Sequence, residues 1–317
     1  MIEINELTKY YGERRAVGPL SFAIEQGEVV GLLGLNGAGK TTTLRMLSSD
    51  LLPTSGSLRV DGVDLVEQPE KVRPNIGYLP DRPPVYGEMR VREYLVFAAR
   101  LRGMKRATIG PRVQQVIDTT ALGDVAEDRI DTLSHGFKQR VGIAQAIVHQ
   151  PKLLLLDEPI SGLDPVQIVE MRELIRSLRG EHTLVLSSHI LSEISETCDR
   201  LLVILHGEII ASGTEAELSQ HMTSHAYSVS VEMAPRDDAQ QAAQRVVSSV
   251  AGVTEALAGA SDERIAGADT VTVEFSGDDD VRAAVCKALI DADMGILELR
   301  RSAKELEALF LRLTGKA

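Results

Sequence analysis

Cysteine is nearly absent: Cys198 and Cys286 are the two in 317 residues. Two cannot make a disulfide framework, so both are expected to be reduced core thiols. No run of 18 or more apolar residues occurs. The longest candidates, at 153–156 and 201–205, are strand-sized, and no segment reads as a membrane-spanning helix. The start, MIEINELTKYYGE, lacks the basic residues and apolar core of a secretory leader, so none is expected. A basic excess is missing too, with 34 Lys and Arg against 46 Asp and Glu, a net charge of −12. A nucleic-acid binder normally carries a basic face, so no nucleic-acid partner is expected. Internal repeats, low-complexity tracts and sustained heptads are likewise absent. The rest is ordinary for a globular chain: 44% hydrophobic and 25% charged residues, with length enough for two domains.

Against that background stands GLNGAGKT, residues 34–41, which fits G-x-x-x-x-G-K-[ST]. Residues 29–33, VVGLL, read as a buried strand before it, and 42–47, TTLRML, open a helix after it. The glycines let successive backbone N–H groups face an anion, and the helix N-terminus adds its dipole. Lys40 can then reach β- and γ-phosphates, and the Thr41 hydroxyl can ligate Mg²⁺. This is a phosphate-binding loop.

Before the loop, short β-like segments at 2–7 and 20–24 suggest an antiparallel edge. Tyr11 lies there beside Gly12; such a ring can stack an adenine or simply pack. After the loop, 57–60 and 76–79 read as strands, with Asp61-Gly62 as a hairpin or bulge turn. Helical spacing follows at 92–102 and 109–122, with Gly103 and Gly110-Pro111 as breakers, so 85–140 reads as a helical insertion. Ser134 is placed to cap a helix leading into 141–149.

PKLLLLDEP, 151–159, is more telling. Four leucines bounded by proline make a strand buried on both faces, and it ends in two carboxylates. Ligands of open α/β sheets bind at strand carboxyl ends. Asp157 can hold Mg²⁺ beside Thr41, and Glu158 can orient or deprotonate water. A second buried strand, 183–187, carries Ser188-His189 at its end, which makes His189 a candidate γ-phosphate contact. A turn at 160–165 precedes a helix at 166–179, and 201–213 read as a closing hairpin.

From about 221 the pattern becomes strand, helix, strand, strand, helix, strand, at 227–233, 239–250, 253–257, 270–275, 280–292 and 296–299, with a last helix at 303–313. That order is ferredoxin-like α+β. Residues 1–220 and 221–317 each carry a net −6, so neither is a basic arm. No ligand constellation is visible after 220, and an accessory interaction or regulatory role is expected there.

Taken in order, GLNGAGKT, LSHGFKQR, LLLLDEP, SGLD and the lone histidine of LSSHI resemble the ATP-binding subunit of an ABC transporter, over the whole of 1–220. A separate ATPase whose extension contains KELEALFLRLTGK is similar to the ABC-2 exporter branch, which includes drug-efflux, lipid- or polysaccharide-export and gliding-motility ATPases. The resemblance implies a phosphate-loop α/β core with an antiparallel β subdomain and a helical subdomain. It implies a homodimer that closes head to tail on two Mg-ATP and powers export through separate membrane-spanning permease subunits. The protein would then be cytoplasmic and peripheral on the inner face of the membrane. By position, Tyr11 stacks adenine, and Gly34, Leu35, Asn36, Gly37, Ala38, Gly39, Lys40, Thr41 and Thr42 wrap the phosphates. Thr41 and Asp157 hold Mg²⁺, Glu158 polarises water and His189 binds the γ-phosphate. Asp164 lies at the dimer interface, and Ser134 and Gly136 contact the γ-phosphate of the opposite subunit.

Two departures from the family pattern stand out. The usual LSGGQ reads LSHGF here, with His135 for a glycine and Phe137 for the glutamine. The glutamine expected after 76–79 is missing, and Asp81 is the residue able to replace it as a Mg²⁺ contact. A soluble mechanical ATPase of this core, acting on ribosomes or DNA, would carry two ATP-binding halves or a long coiled coil. A generic kinase or GTPase would need an acceptor site or N-K-x-D. None of these is visible.

Overall fold

A computed structural model describes residues 2–221, 225–236, 238–260, 268–277 and 280–301. The chain divides into two compact units, Met1–Ala216 and Glu217–Ala317.

The first unit opens with β1 (Ile2–Tyr11) and β2 (Arg14–Ile24), a hairpin closed at Gly12, then β3 (Val29–Leu33) and α1 (Lys40–Leu47). β1 runs four residues past the expected edge strand, through Tyr11, because β-bulges let the pairing with β2 continue. β4 (Ser55–Val60) and β5 (Val63–Asp64) turn at Asp61-Gly62, both at positive φ (49° and 77°), as a tight hairpin needs. Then come α2 (Pro69–Val72), β6 (Ile76–Leu79), α3 (Val91–Leu101), α4 (Arg106–Thr119) and α5 (His135–Ile147). Pro111 does not break the helix: α4 starts before it and runs through it. The exposed proline forfeits one hydrogen bond, while Ile109, Val113, Val116 and Ile117 bury the opposite face and hold the helix. α5 starts at His135 with Ser134 as its N-cap, as the sequence suggested, so the helix takes in 135–140 as well.

β7 (Leu153–Asp157), α6 (Pro165–Ser177), β8 (Thr183–Ser188), α7 (Leu191–Ile194), β9 (Arg200–Leu205), β10 (Glu208–Gly213) and α8 (Glu215–His221) follow. Strands β2-β1-β4-β5 form an antiparallel sheet, and β10-β9-β3-β8-β7-β6 a second sheet, parallel except for β10. β3, β7 and β8 are buried along their whole length. That is why they read as unbroken apolar runs instead of alternating ones. Their register sets Leu33 beside Ser188 and Asp157 beside Ser187. Three carboxyl ends thus meet on one edge of the sheet.

The second unit contains β11 (His225–Met233), α9 (Ala239–Ser248), β12 (Val253–Ala260), β13 (Asp269–Gly277), α10 (Arg282–Asp291) and β14 (Gly295–Arg301). Its sheet order is β12-β13-β11-β14, antiparallel throughout, the ferredoxin-like order the pattern suggested. Tyr227, Val229 and Val231 pair with Phe275, Val273 and Val271 and bury one face under Ala243, Val247, Val285 and Leu289 of the helices. The expected helix at 303–313 lies outside the described residues.

Candidate functional site

The loop after β3 wraps back on itself because two glycines leave room for backbone. A Cβ on Gly34 would stand 2.4 Å from Ile204 O, and Gly39 takes φ 111° with Ala16 O only 3.0 Å from where its Cβ would be. Gly39 precedes α1, so the first-turn N–H groups of that helix lack carbonyl partners within it and point along its positive end. Lys40, 5% exposed, curls over the loop and donates from Nζ to Gly34 O at 2.7 Å. Its ammonium also lies 3.2 Å from Glu158 Oε1. Ala38 is buried, while Leu35, Asn36 and Gly37 stand out from the loop.

The end of β7 supplies the acids. Asp157 is fully buried. Its Oδ1 accepts from Ser187 Oγ (2.6 Å) and Thr41 Oγ1 (3.2 Å), and its Oδ2 has no partner in the protein. Burial pushes its carboxyl above the ordinary range; the two hydroxyls oppose that shift, and the charges of Glu158 and Asp81 add to it. Glu158 sits in the left-handed region at φ 48°, where a side chain is strained. Its N–H donates to Ser187 Oγ at 2.9 Å, and its Oε2 accepts from His189 Nδ1 at 2.9 Å. Lys40, Glu158 and His189 therefore form one continuous chain of charge and hydrogen bond.

A cavity of about 780 Å³ covers this chain, with Tyr11, Thr41, Thr42, Asp81 and His189 among its walls. Tyr11 is 49% exposed, with Lys9 Nζ 5.5 Å from its ring centroid. Ser134, Gly136 and Asp164 do not line the cavity. Ser134 accepts from Phe137 N–H as the α5 cap, and Asp164 accepts from Gln167 N–H as the α6 cap. Gly136 lies against that same Gln167, whose Oε1 would be 2.7 Å from a Cβ there.

Some residues at this site escaped the sequence. Ser187 bridges both acids, but its role depends on the β7–β8 register, which no local motif encodes. Arg14, Arg15 and His206 also border the cavity; Arg15 is ion-paired with Glu208. Ser161 borders it too, and its carbonyl accepts from His135 Nε2 at 3.1 Å, across 26 residues of sequence.

The donor set suits a hard divalent cation. A buried carboxylate oxygen without a partner sits beside a threonine hydroxyl, both oxygen ligands, next to a phosphate loop. Thr41 and Asp157 are the residues that fit Mg²⁺, and Asp81 is a carboxylate on the cavity wall.

Comparison with known proteins identifies the family and the fold. A family model described as ABC transporter matches residues 17–161. The linearmycin resistance ATP-binding protein LnrL of Bacillus subtilis (strain 168) is 31% identical over an alignment covering 100% of this chain and 99% of that protein. The daunorubicin/doxorubicin resistance ATP-binding protein DrrA of Streptomyces peucetius is 37% identical, covering 80% of this chain and 76% of DrrA. A solved ATP-binding subunit of an ABC transporter superposes with a TM-score of 0.63 at 30% identity, covering 70% of this chain and 92% of that one. The chain belongs to the ABC transporter ATP-binding family, and its relatives include proteins named for antibiotic transport and antibiotic resistance. It is an ATPase whose hydrolysis is coupled to transport.

Proposed function

We propose that two copies of this chain close head to tail on two Mg-ATP and drive export through separate membrane-spanning permease subunits, from the cytoplasmic face of the membrane. The observation that carries this reading is the Lys40–Glu158–His189 chain beside the unpartnered Asp157 Oδ2, at the mouth of the phosphate loop. ATP's phosphates compete with Glu158 for the Lys40 ammonium. Once Lys40 turns to phosphate, Glu158 is free to accept a proton from the attacking water. His189 then holds Glu158 on one side and donates toward the γ-phosphate on the other. Ser187 fixes both acids, so the water is aligned by residues already in place. Thr41 and Asp157, with Asp81 at the wall, hold Mg²⁺, which when bound neutralises charge developing on the phosphate oxygens.

Tyr11 stacks the adenine at the open end of the cavity. Ser134, Gly136 and Asp164 act on the other copy: the capped N-terminus of α5 offers N–H donors to the γ-phosphate bound by the opposite subunit. ATP is then the adhesive of the closed dimer, and hydrolysis releases it. Residues 1–220 serve as the ATP-binding domain, with 85–140 as its helical subdomain. Residues 221–317 help to join or gate the subunits; unchanged ATP-driven dimerisation and transport after truncation at about residue 220 would rule that out. Cargo choice belongs to the permease.

The test is a pull-down of tagged Glu158→Gln with Mg-ATP from detergent-solubilised host membranes, read by mass spectrometry. A polytopic protein at near one-to-one stoichiometry is expected. Ribosomal proteins, or nothing from the membrane, would instead favour a soluble mechanical ATPase.

A further inference from the structure

The departure LSHGF has a structural use. His135 is exposed, yet its ring is not free: Nε2 lies 3.1 Å from Ser161 O. A carbonyl only accepts, so Nε2 carries the proton. Ser161 is no ordinary turn residue. Its N–H donates to Glu158 O at 3.2 Å, and it borders the nucleotide cavity. The ring also rests against Gly162, at 3.5 Å from where a Cβ would be. One residue on, Gly136 packs on the Gln167 side chain, whose backbone Asp164 caps. Two separate contacts therefore seat the N-terminus of α5 on the 158–167 turn of the same chain.

We propose that His135 is a positioning residue that couples the two nucleotide sites of the dimer. The inference rests on the dimer reading above, in which the N-terminus of α5 serves the ATP of the opposite subunit. Glu158 and Ser161 border the ATP of their own subunit. The His135–Ser161 hydrogen bond is then a link inside one chain between the machinery of one site and the donors of the other. When Glu158 changes partner as Lys40 turns to phosphate, the 158–161 turn carries the change through Ser161 to His135 and the Ser134 cap. A glycine at 135 has no side chain with which to make this link.

The test compares wild type, His135→Gln and His135→Ala in steady-state ATP hydrolysis, with dimerisation of each on a Glu158→Gln background measured by size exclusion with Mg-ATP. Gln can donate to Ser161 O from nearly the place of Nε2; Ala cannot. Position 135 is exposed, and all three forms are expected to fold. His135→Ala should lower kcat about 5-fold, the scale of one lost hydrogen bond. Its Hill coefficient should fall toward 1 while KM changes by less than about 2-fold, since ATP binding to one subunit does not use the link. His135→Gln should keep both values near wild type. A Hill coefficient and kcat unchanged in His135→Ala would overturn the proposal, as would a His135→Gln that falls as far as Ala. Failure of Glu158→Gln to dimerise with Mg-ATP would instead strike the dimer reading itself.

Discussion

Residues 1–220 and 221–317 carry the same net charge, −6 each, and use it in opposite ways. In the first, Lys40, Asp157, Ser187 and Ser188 are buried where parallel strands end, and the acid pair beside them is held by only a few donors. In the second, Ser228 and Ser230 are the only buried polar side chains among the described residues, and pairs such as Arg236–Asp238 and Arg282–Asp280 stand in solvent. Burying charge is costly unless it is paired, so a fold that keeps it buried at one edge does so for chemistry. The antiparallel sheet, with one face packed and one polar, sets no such cost. Placement of charge, not its amount, separates the unit that holds the phosphate loop from the one that does not.

The sharpest break in that contrast comes from Lys40→Ala. It removes the ammonium from the phosphate loop and strands Glu158 without its cation, so ATP affinity should fall at least about 10²-fold, measured with a fluorescent nucleotide. Glu158→Gln should bind ATP normally, lose about 10²-fold or more in turnover, and accumulate a Mg-ATP dimer on size exclusion. Normal turnover would remove Glu158 from its role. Ser134→Arg should leave nucleotide binding to the isolated subunit within about 2-fold while turnover drops about 10-fold or more through loss of donors to the opposite site. Equal dimerisation with and without the arginine would place the α5 cap elsewhere.

Acid sensitivity should also follow the first unit. Burial holds His149 down to about 4 from 6.5, with the nearby Arg102 and Arg112 charges adding to it, while Nε2 bonds Ile76 O at 3.0 Å. Its folded value lies below its unfolded one. Above 6.5 both states are neutral there; as pH falls from 6.5 toward 4 the unfolded chain takes a proton that the fold refuses, and stability is lost. After allowance for solvent screening the loss is on the order of 1–2 kcal/mol. His149→Gln, which can still donate to Ile76 O, should flatten this part of the curve in urea titrations at pH 6.5 and 4.5. An unchanged slope would assign the acid limb to other groups.

What the sequence could reveal depended on how local the cause was. The phosphate loop, the leucine strand and the acids that end it are set by neighbours within a few residues, and were readable. Pro111 misled because a local rule against proline was outweighed by burial of Ile109, Val113 and Val116 in the tertiary structure. Ser187 passed unnoticed because its partners lie about 30 residues away and across a strand register. His135 read only as a departure from a motif until the fold set Ser161 beside it. In the second unit the alternation of β13 was visible as sequence, since the pleat writes it directly into the chain.

The smallest expected effect on turnover tests whether the second unit is as passive toward chemistry as its burial pattern suggests. Val273 is fully buried in the middle of β13, paired with Val229 of β11. Val273→Ala removes two methyl groups from a core that cannot fully close over the gap, a cost of about 2 kcal/mol to that unit. ATP turnover at a temperature where the variant stays folded should remain within about 2-fold of wild type, because no side chain of the nucleotide cavity comes from this sheet. Stability is read from denaturant unfolding, and turnover from phosphate release on the same sample. A loss of stability with steady turnover keeps the division between a chemical unit and an accessory one. A turnover loss of about 10-fold in the folded variant would mean that packing of the second unit sets the rate at which the dimer opens or closes, since catalysis can be limited by such conformational steps. The core of residues 221–317 would then belong to the ATPase cycle, even though no described side chain of its sheet lines the nucleotide cavity.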